Sequence, residues 1–125
     1  IMRKSVGQRI PEKEIANFLF TDGDINIEVE LSPELETVWL TQKQMGELFE
    51  VKQATLSEHI NNIISSGELD ETSIGFSDKS SGGRKPKIYN LDMILSVGYR
   101  VNSKRGIAFR RWANSVLKKY VIQNH

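Results

Sequence analysis

The stretch 41–63 constrains this chain more than any other. Thr41 is a good helix N-cap, because its hydroxyl can accept from an unpaired N–H of the first turn. Leu40, Met45, Leu48 and Phe49 then share one face at helical spacing. Gly46 sits where a second helix has to approach closely, and Val51 is the apolar plug of a turn. A second helix starts at Gln53 or Thr55, and Leu56, Ile60, Ile63 and Ile64 form its buried stripe, leaving Gln53, Ser57, Glu58 and Asn61 outward. Two short helices joined by a tight turn, the second with a polar outer face, is the layout of a helix-turn-helix, which sets one helix in the DNA major groove. Such turns usually carry Gly where the chain takes positive φ. Here that position is Glu50, so either the turn differs in shape or Glu50 accepts strain. An ordinary helical hairpin that binds no DNA is the plainer alternative.

Strands flank this unit. Residues 16–20 read as a strand, 21–24 as a hairpin turn built on Asp22-Gly23, and 25–31 as a second strand with Ile25, Ile27, Val29 and Leu31 on one face. Pro33 ends it, and 38–40 form a third strand. Ser65-Ser66-Gly67 stops the second helix. Residues 74–76 and 87–89 then bracket a Gly- and Ser-rich loop, 77–86, as the two strands of a basic wing that carries Lys79, Arg84, Lys85 and Lys87. Asn90 caps a helix whose apolar side is Leu91, Ile94, Leu95 and Tyr99. Ser103 caps a last helix with the stripe Phe109, Trp112, Ala113, Val116, Leu117, Tyr120 and Val121, and with Lys104, Arg111 and Lys118 on another face. The fold class is therefore α+β: a small antiparallel sheet, a winged helix-turn-helix and two C-terminal helices. Residues 1–14 read as a flexible tail and 15–125 as one domain.

Net charge is +1 over 125 residues, but it is unevenly divided. Residues 1–78 carry 6 Lys+Arg against 15 Asp+Glu, a net −9, and residues 79–125 carry 11 against 1, a net +10. Such asymmetry points to nucleic acid or another acidic partner, unless the two halves simply neutralise each other. No apolar run is long enough for a membrane span. Cysteine is absent, which excludes disulfides and thiolate metal sites and suits a reducing, cytoplasmic setting.

Other constellations carry less. Asp22, Asp24, Asn26 and Glu28 alternate like calcium ligands, but the sixth position of such a loop needs Gly and here holds Ile27. His59 has no second His or Cys to share a metal, and reads as core-edge packing. Trp39 and Trp112 sit on apolar stripes and read as core rather than base-stacking platforms. The run 80–85 has glycines and cations but not the Gly-Lys-Ser/Thr of a phosphate loop. Ser103, Lys104 and Arg105 together could meet one phosphate at a helix start.

Several unusual runs occur in order: residues 36–42, 56–63, 89–94, 97–106 and 109–113, the last reading Phe109-Arg110-Arg111-Trp112-Ala113. Over about 15–122 the chain thereby resembles the bacterial RhuM-type virulence protein family. The part from Tyr89 onward is more loosely similar to the BRO N-terminal domain of phage and viral proteins. The resemblance implies a DNA-binding-like N-terminal module of a longer protein.

The expected function is sequence-specific binding of double-stranded DNA, as a transcriptional regulator or DNA-targeting module, without catalysis, cofactor, metal or small-molecule ligand. Gln53, Thr55, Ser57 and Asn61 are the expected base contacts, and Lys43, Lys52, Arg84, Lys85, Lys87, Lys104 and Arg105 the expected phosphate contacts. A homodimer on paired half-sites suits such a unit. The alternative is a protein–protein interaction module using the same fold.

Overall fold

Strict alternation of apolar and polar residues makes the first two strands. β1 (Ala16–Asp22) and β2 (Ile25–Ser32) pair antiparallel from Ala16 opposite Leu31 to Asp22 opposite Ile25. A two-residue turn joins them, and Gly23 supplies its positive φ. Phe20, Ile27, Val29 and Leu31 are buried on one face, while Leu19, Asn26 and Glu28 point to the other. The computed structural model describes residues 16–32, 35–76 and 87–123. The tail 1–14, Pro33, the stretch 77–86 expected as a wing loop with Lys79, Arg84 and Lys85, and the side chain of Val121 lie outside the described residues.

β3 (Thr37–Thr41) pairs with β2 on one side and with β5 (Lys87–Asn90) on the other; β4 (Ile74–Phe76) closes the edge. The order β1-β2-β3-β5-β4 makes one five-stranded antiparallel sheet out of what the sequence suggested as a small sheet and a separate hairpin. Four helices complete the α+β fold: α1 (Gln42–Phe49), α2 (Gln53–Ser65), α3 (Leu91–Arg100) and α4 (Lys104–Gln123). A 3₁₀ turn, Glu71–Ser73, is capped by Asp70, whose carboxylate accepts from the Thr72 hydroxyl and backbone N–H and is held below its usual pKa by those bonds.

The helices lie on the apolar side of the sheet, because one buried cluster joins Val29, Leu31, Val38 and Leu40 to residues of all four helices. Burial of a side chain of this size stabilises by about 1.5–3 kcal/mol, and Leu48, Leu56, Ile63, Met93, Val97 and Phe109 are all fully buried. α4 is locked beneath β1 by aromatic rings. Phe20 meets Phe109 at 5.2 Å and Trp112 at 5.4 Å, both edge-on, and Phe18 meets Tyr120 at 6.2 Å. Phe49, at the end of α1, fits a notch between α3 and α4 where Gly98 and Gly106 approach each other; a Cβ on Gly98 would lie 3.0 Å from its ring. Among the described residues no helix is long and apolar enough to cross a membrane.

Two expectations are corrected. Tyr99 is not on the buried side of α3: it is 87% exposed. It lies five residues beyond Ile94, about 140° further round the helix, and Met93, Val97 and Gly98 take the inward positions instead. Trp39 is not core either. Val38 and Leu40 point inward, so pleating turns Trp39 to the outer face. There its indole covers Gly75, where a Cβ would stand 3.0 Å from the ring, and Ile88 lies beside it.

Candidate nucleic-acid interface

α1 begins with a reciprocal cap. The Thr41 hydroxyl accepts from Gln44 N–H at 3.1 Å, and Gln44 Oε1 accepts from Thr41 N–H at 2.8 Å. Gln44 Nε2 also donates to the Glu28 carbonyl at 2.8 Å, which fixes α1 to β2. α1 ends at Glu50 with φ 56° and ψ 51°, so this non-glycine residue does take the left-handed conformation. Gly46 O accepts from both Glu50 N–H and Val51 N–H.

Gly46 is small for the reason the sequence suggested. A Cβ there would stand 2.5 Å from Gln53 Nε2, 3.1 Å from Val51 O and 3.4 Å from Leu56 Cδ1, all on the turn or α2. α2 starts after Lys52, which makes no side-chain cap bond. It ends in a left-handed Gly67, with Glu68 N–H donating to Ile63 O and Gly67 N–H to Ile64 O. Leu56, Ile60 and Ile63 are buried and Ile64 half-buried. Ala54, Ser57, Glu58, Asn61, Asn62 and Ser65 are exposed.

The four expected base-contact residues are not equivalent. Asn61 is exposed on the outward face of α2. Gln53 and Ser57 are exposed but are joined to the start of α1: Gln42 Nε2 donates to Ser57 Oγ at 2.8 Å and to Gln53 O at 3.2 Å, and Gln53 Nε2 donates to Gln42 O at 3.4 Å. Thr55 is half-buried on the flank. Gln42 and Asn62 are additions the sequence reading missed. Asn62 follows Asn61 at a position that continued helical spacing leaves outward; Gln42 gave no signal, because its partners are 11 and 15 residues away.

Of the expected phosphate contacts, Lys43, Lys52, Lys87 and Lys104 are exposed. Arg84 and Lys85 lie outside the described residues. Arg105 is engaged internally: its guanidinium donates to Glu50 Oε2 at 2.6 Å, to Asp22 Oδ2 at 3.2 Å and to Leu48 O at 3.3 Å. The Glu50 bond, and then Asp22, hold its pKa above the usual value against partial burial. It braces the α1–α2 turn against the β1–β2 hairpin, which corrects its expected place in a surface phosphate site with Ser103 and Lys104.

Residues 71–125 match the family described as the Virulence protein RhuM family. Comparison of the chain with curated proteins and with solved structures finds no significant match. The family match spans the 3₁₀ turn, the β4–β5 hairpin, α3 and α4, and does not reach α1 or α2. The match agrees with the resemblance read from the sequence over the stretch that builds β4, β5, α3 and α4.

Proposed function

We propose that the chain is a double-stranded DNA-binding module in which α2 enters the major groove and the β4–β5 hairpin lies beside it as a wing. The observation that carries this reading is the outward face of α2, where Ala54, Ser57, Asn61, Asn62 and Ser65 are small and Glu58 is the one charged residue, on a helix whose N-terminal end is braced from α1 by Gln42. The strand order supports it, since the strand before the helix pair, β3, pairs with the second strand of the hairpin after it. Asn61 and Asn62 suit the adenine edge, and Glu58 suits the cytosine amino group. Lys43, Lys52 and Lys87 suit phosphates, which fix register without reading sequence. The role is binding rather than catalysis, in a cytoplasmic regulator or DNA-targeting protein of bacterial or phage type, with two copies on paired half-sites.

A protein-interaction module is the second reading. It is favoured by Phe76, which is 61% exposed on β4 opposite Lys87. Duplex sequences selected from a random pool, followed by titration against a scrambled duplex, separate the two. Asn61→Ala is expected to stay folded and to relax preference at one base pair by about 1–3 kcal/mol. Absence of any salt-sensitive duplex binding at low ionic strength would leave the protein-interaction reading in place.

A further inference from the structure

Helix α4 carries Lys104, Arg105, Arg110, Arg111, Lys118 and Lys119 and no acidic residue. Of these six, only Arg105 has an ion pair among the described residues; the other five are exposed and make none there. Their placement is not random around the helix. Phe109 and Ala113 define the buried side. Lys104, Arg111 and Lys118 follow one another at seven-residue intervals, so they form a ladder along the opposite side with rungs about 10.5 Å apart. Asn114 and Ser115, both exposed, stand between the upper rungs, and Ile107 is the one exposed large apolar residue on this side among those whose side chains are described.

We infer that the solvent face of α4 is a second nucleic-acid surface, which holds the phosphodiester backbone by charge and does not read sequence. It rests on the DNA-binding reading above and adds to it a surface separate from α2. The chemistry favours a phosphate backbone over other anionic partners. Protein interfaces are depleted in lysine and anchored by buried aromatic residues, and this face has neither property. A helix lying on a membrane needs an apolar side to insert, whereas the apolar side of α4 is packed under β1. Lys, Arg, Asn and Ser are the side chains that commonly contact phosphate oxygens. The acidic residues Glu28 and Glu30 stand on the far side of the sheet from α4, and the carboxylates at its first turn, Asp22 and Glu50, are paired with Arg105, so the upper rungs Arg111 and Lys118 carry the surface. α4 also lies within the stretch that matches the RhuM family, whereas α2 does not.

The test compares the full chain with Arg111→Ala/Lys118→Ala, and in parallel with Asn61→Ala, on selected and random duplexes over a range of salt. Circular dichroism melts establish that each variant is folded. The double variant is expected to lose roughly ten- to sixty-fold in affinity near 0.1 M salt on both duplexes, and to flatten the log–log salt slope by about 2. The ratio between selected and random DNA should stay as in the parent chain. An unchanged affinity and slope in the double variant would overturn the α4 surface while leaving α2 as the reader. If only Asn61→Ala were silent, the groove reading would fail and the α4 surface would stand. If the parent chain bound no duplex at all, both would fall. A further arm uses phosphatidylserine-containing vesicles: loss of vesicle binding in the double variant, with duplex binding intact, would assign the surface to a membrane and overturn the inference.

Discussion

At the β1–β2 corner Gly23 holds φ +63°, with nothing within 4 Å of where a Cβ would stand. At the α1–α2 corner Glu50 holds φ 56°, with a full side chain. The left-handed conformation costs an L-residue roughly 1–2 kcal/mol, and glycine avoids that cost. Gly23 therefore only has to bend the chain. Glu50 bends it and also presents a carboxylate, which Arg105 of α4 holds at 2.6 Å. The same guanidinium reaches Asp22 of the first corner at 3.2 Å. The comparison teaches that a strained residue is tolerated where its side chain ties the turn to a third element. In this fold α4 is the post to which both corners are attached.

The harshest way to break this comparison is to loosen the post. Trp112 packs against Phe20 at 5.4 Å and Phe109 at 5.6 Å, joining α4 to β1. It is half-buried, so Trp112→Ala should cost about 3 kcal/mol, the low end for an aromatic truncation. Urea unfolding measures it, and amide exchange at both corners should quicken together. A loss under about 1 kcal/mol would mean that the rings do not fix α4, and that Arg105 alone holds the corners.

Removing the tie is the next largest effect. Arg105→Ala should destabilise by about 1–2 kcal/mol, because it deletes one hydrogen bond to the Leu48 carbonyl and two ion pairs weakened by solvent. The Glu50 and Asp22 side chains are 70% and 43% exposed, which limits what each pair contributes. Arg105→Lys should restore little, since one ammonium cannot span acceptors on three elements as the guanidinium fork does. Chemical denaturation of the two variants side by side checks this; full rescue by lysine would reduce the tie to net charge.

The contrast also marks what the sequence made legible. Alternation in β2, the Thr41 and Asn90 caps, the Gly67 stop and the stripe of α2 were all readable, because each depends on neighbours within a few residues. The unusual demand on Glu50 was readable too. Its answer was not, because Arg105 lies 55 residues further along the chain. The same distance effect gave Arg105 the wrong role, since Lys104 and Arg105 look alike in sequence and only one faces solvent. Gln42 was invisible for that reason as well. Trp39 and Tyr99 were misplaced for a different one: both adjoin apolar residues, and only the period of the element decides which neighbour points inward.

The glycine corner offers a milder test. Gly23→Ala meets no atom, so its cost is conformational alone. The left-handed penalty is partly offset by the smaller freedom of alanine in the unfolded chain, leaving about 1 kcal/mol of destabilisation. A thermal melt reads it. A markedly larger loss would show that the hairpin turn is confined by neighbours, and the two corners would then differ less than described.

The smallest expected change is the most discriminating. Glu50→Gly removes the left-handed strain, which favours the variant, and loses the ion pair with Arg105, which disfavours it. Glycine also gives the unfolded chain more freedom, a further loss of about 0.4–1 kcal/mol. The three effects nearly cancel, so Glu50→Gly alone should lie within about 0.5 kcal/mol of the parent chain. In the Arg105→Ala background the ion pair is already gone, and only strain relief and glycine entropy remain. There Glu50→Gly should stabilise by about 0.5–1 kcal/mol. The difference between the two backgrounds is the coupling of Glu50 to Arg105, which a double-mutant cycle in urea isolates at up to about 1 kcal/mol. Equal effects in both backgrounds would show no coupling. Glu50 would then hold its left-handed turn unaided, and the distinction between a corner that only bends and a corner that is tied would disappear.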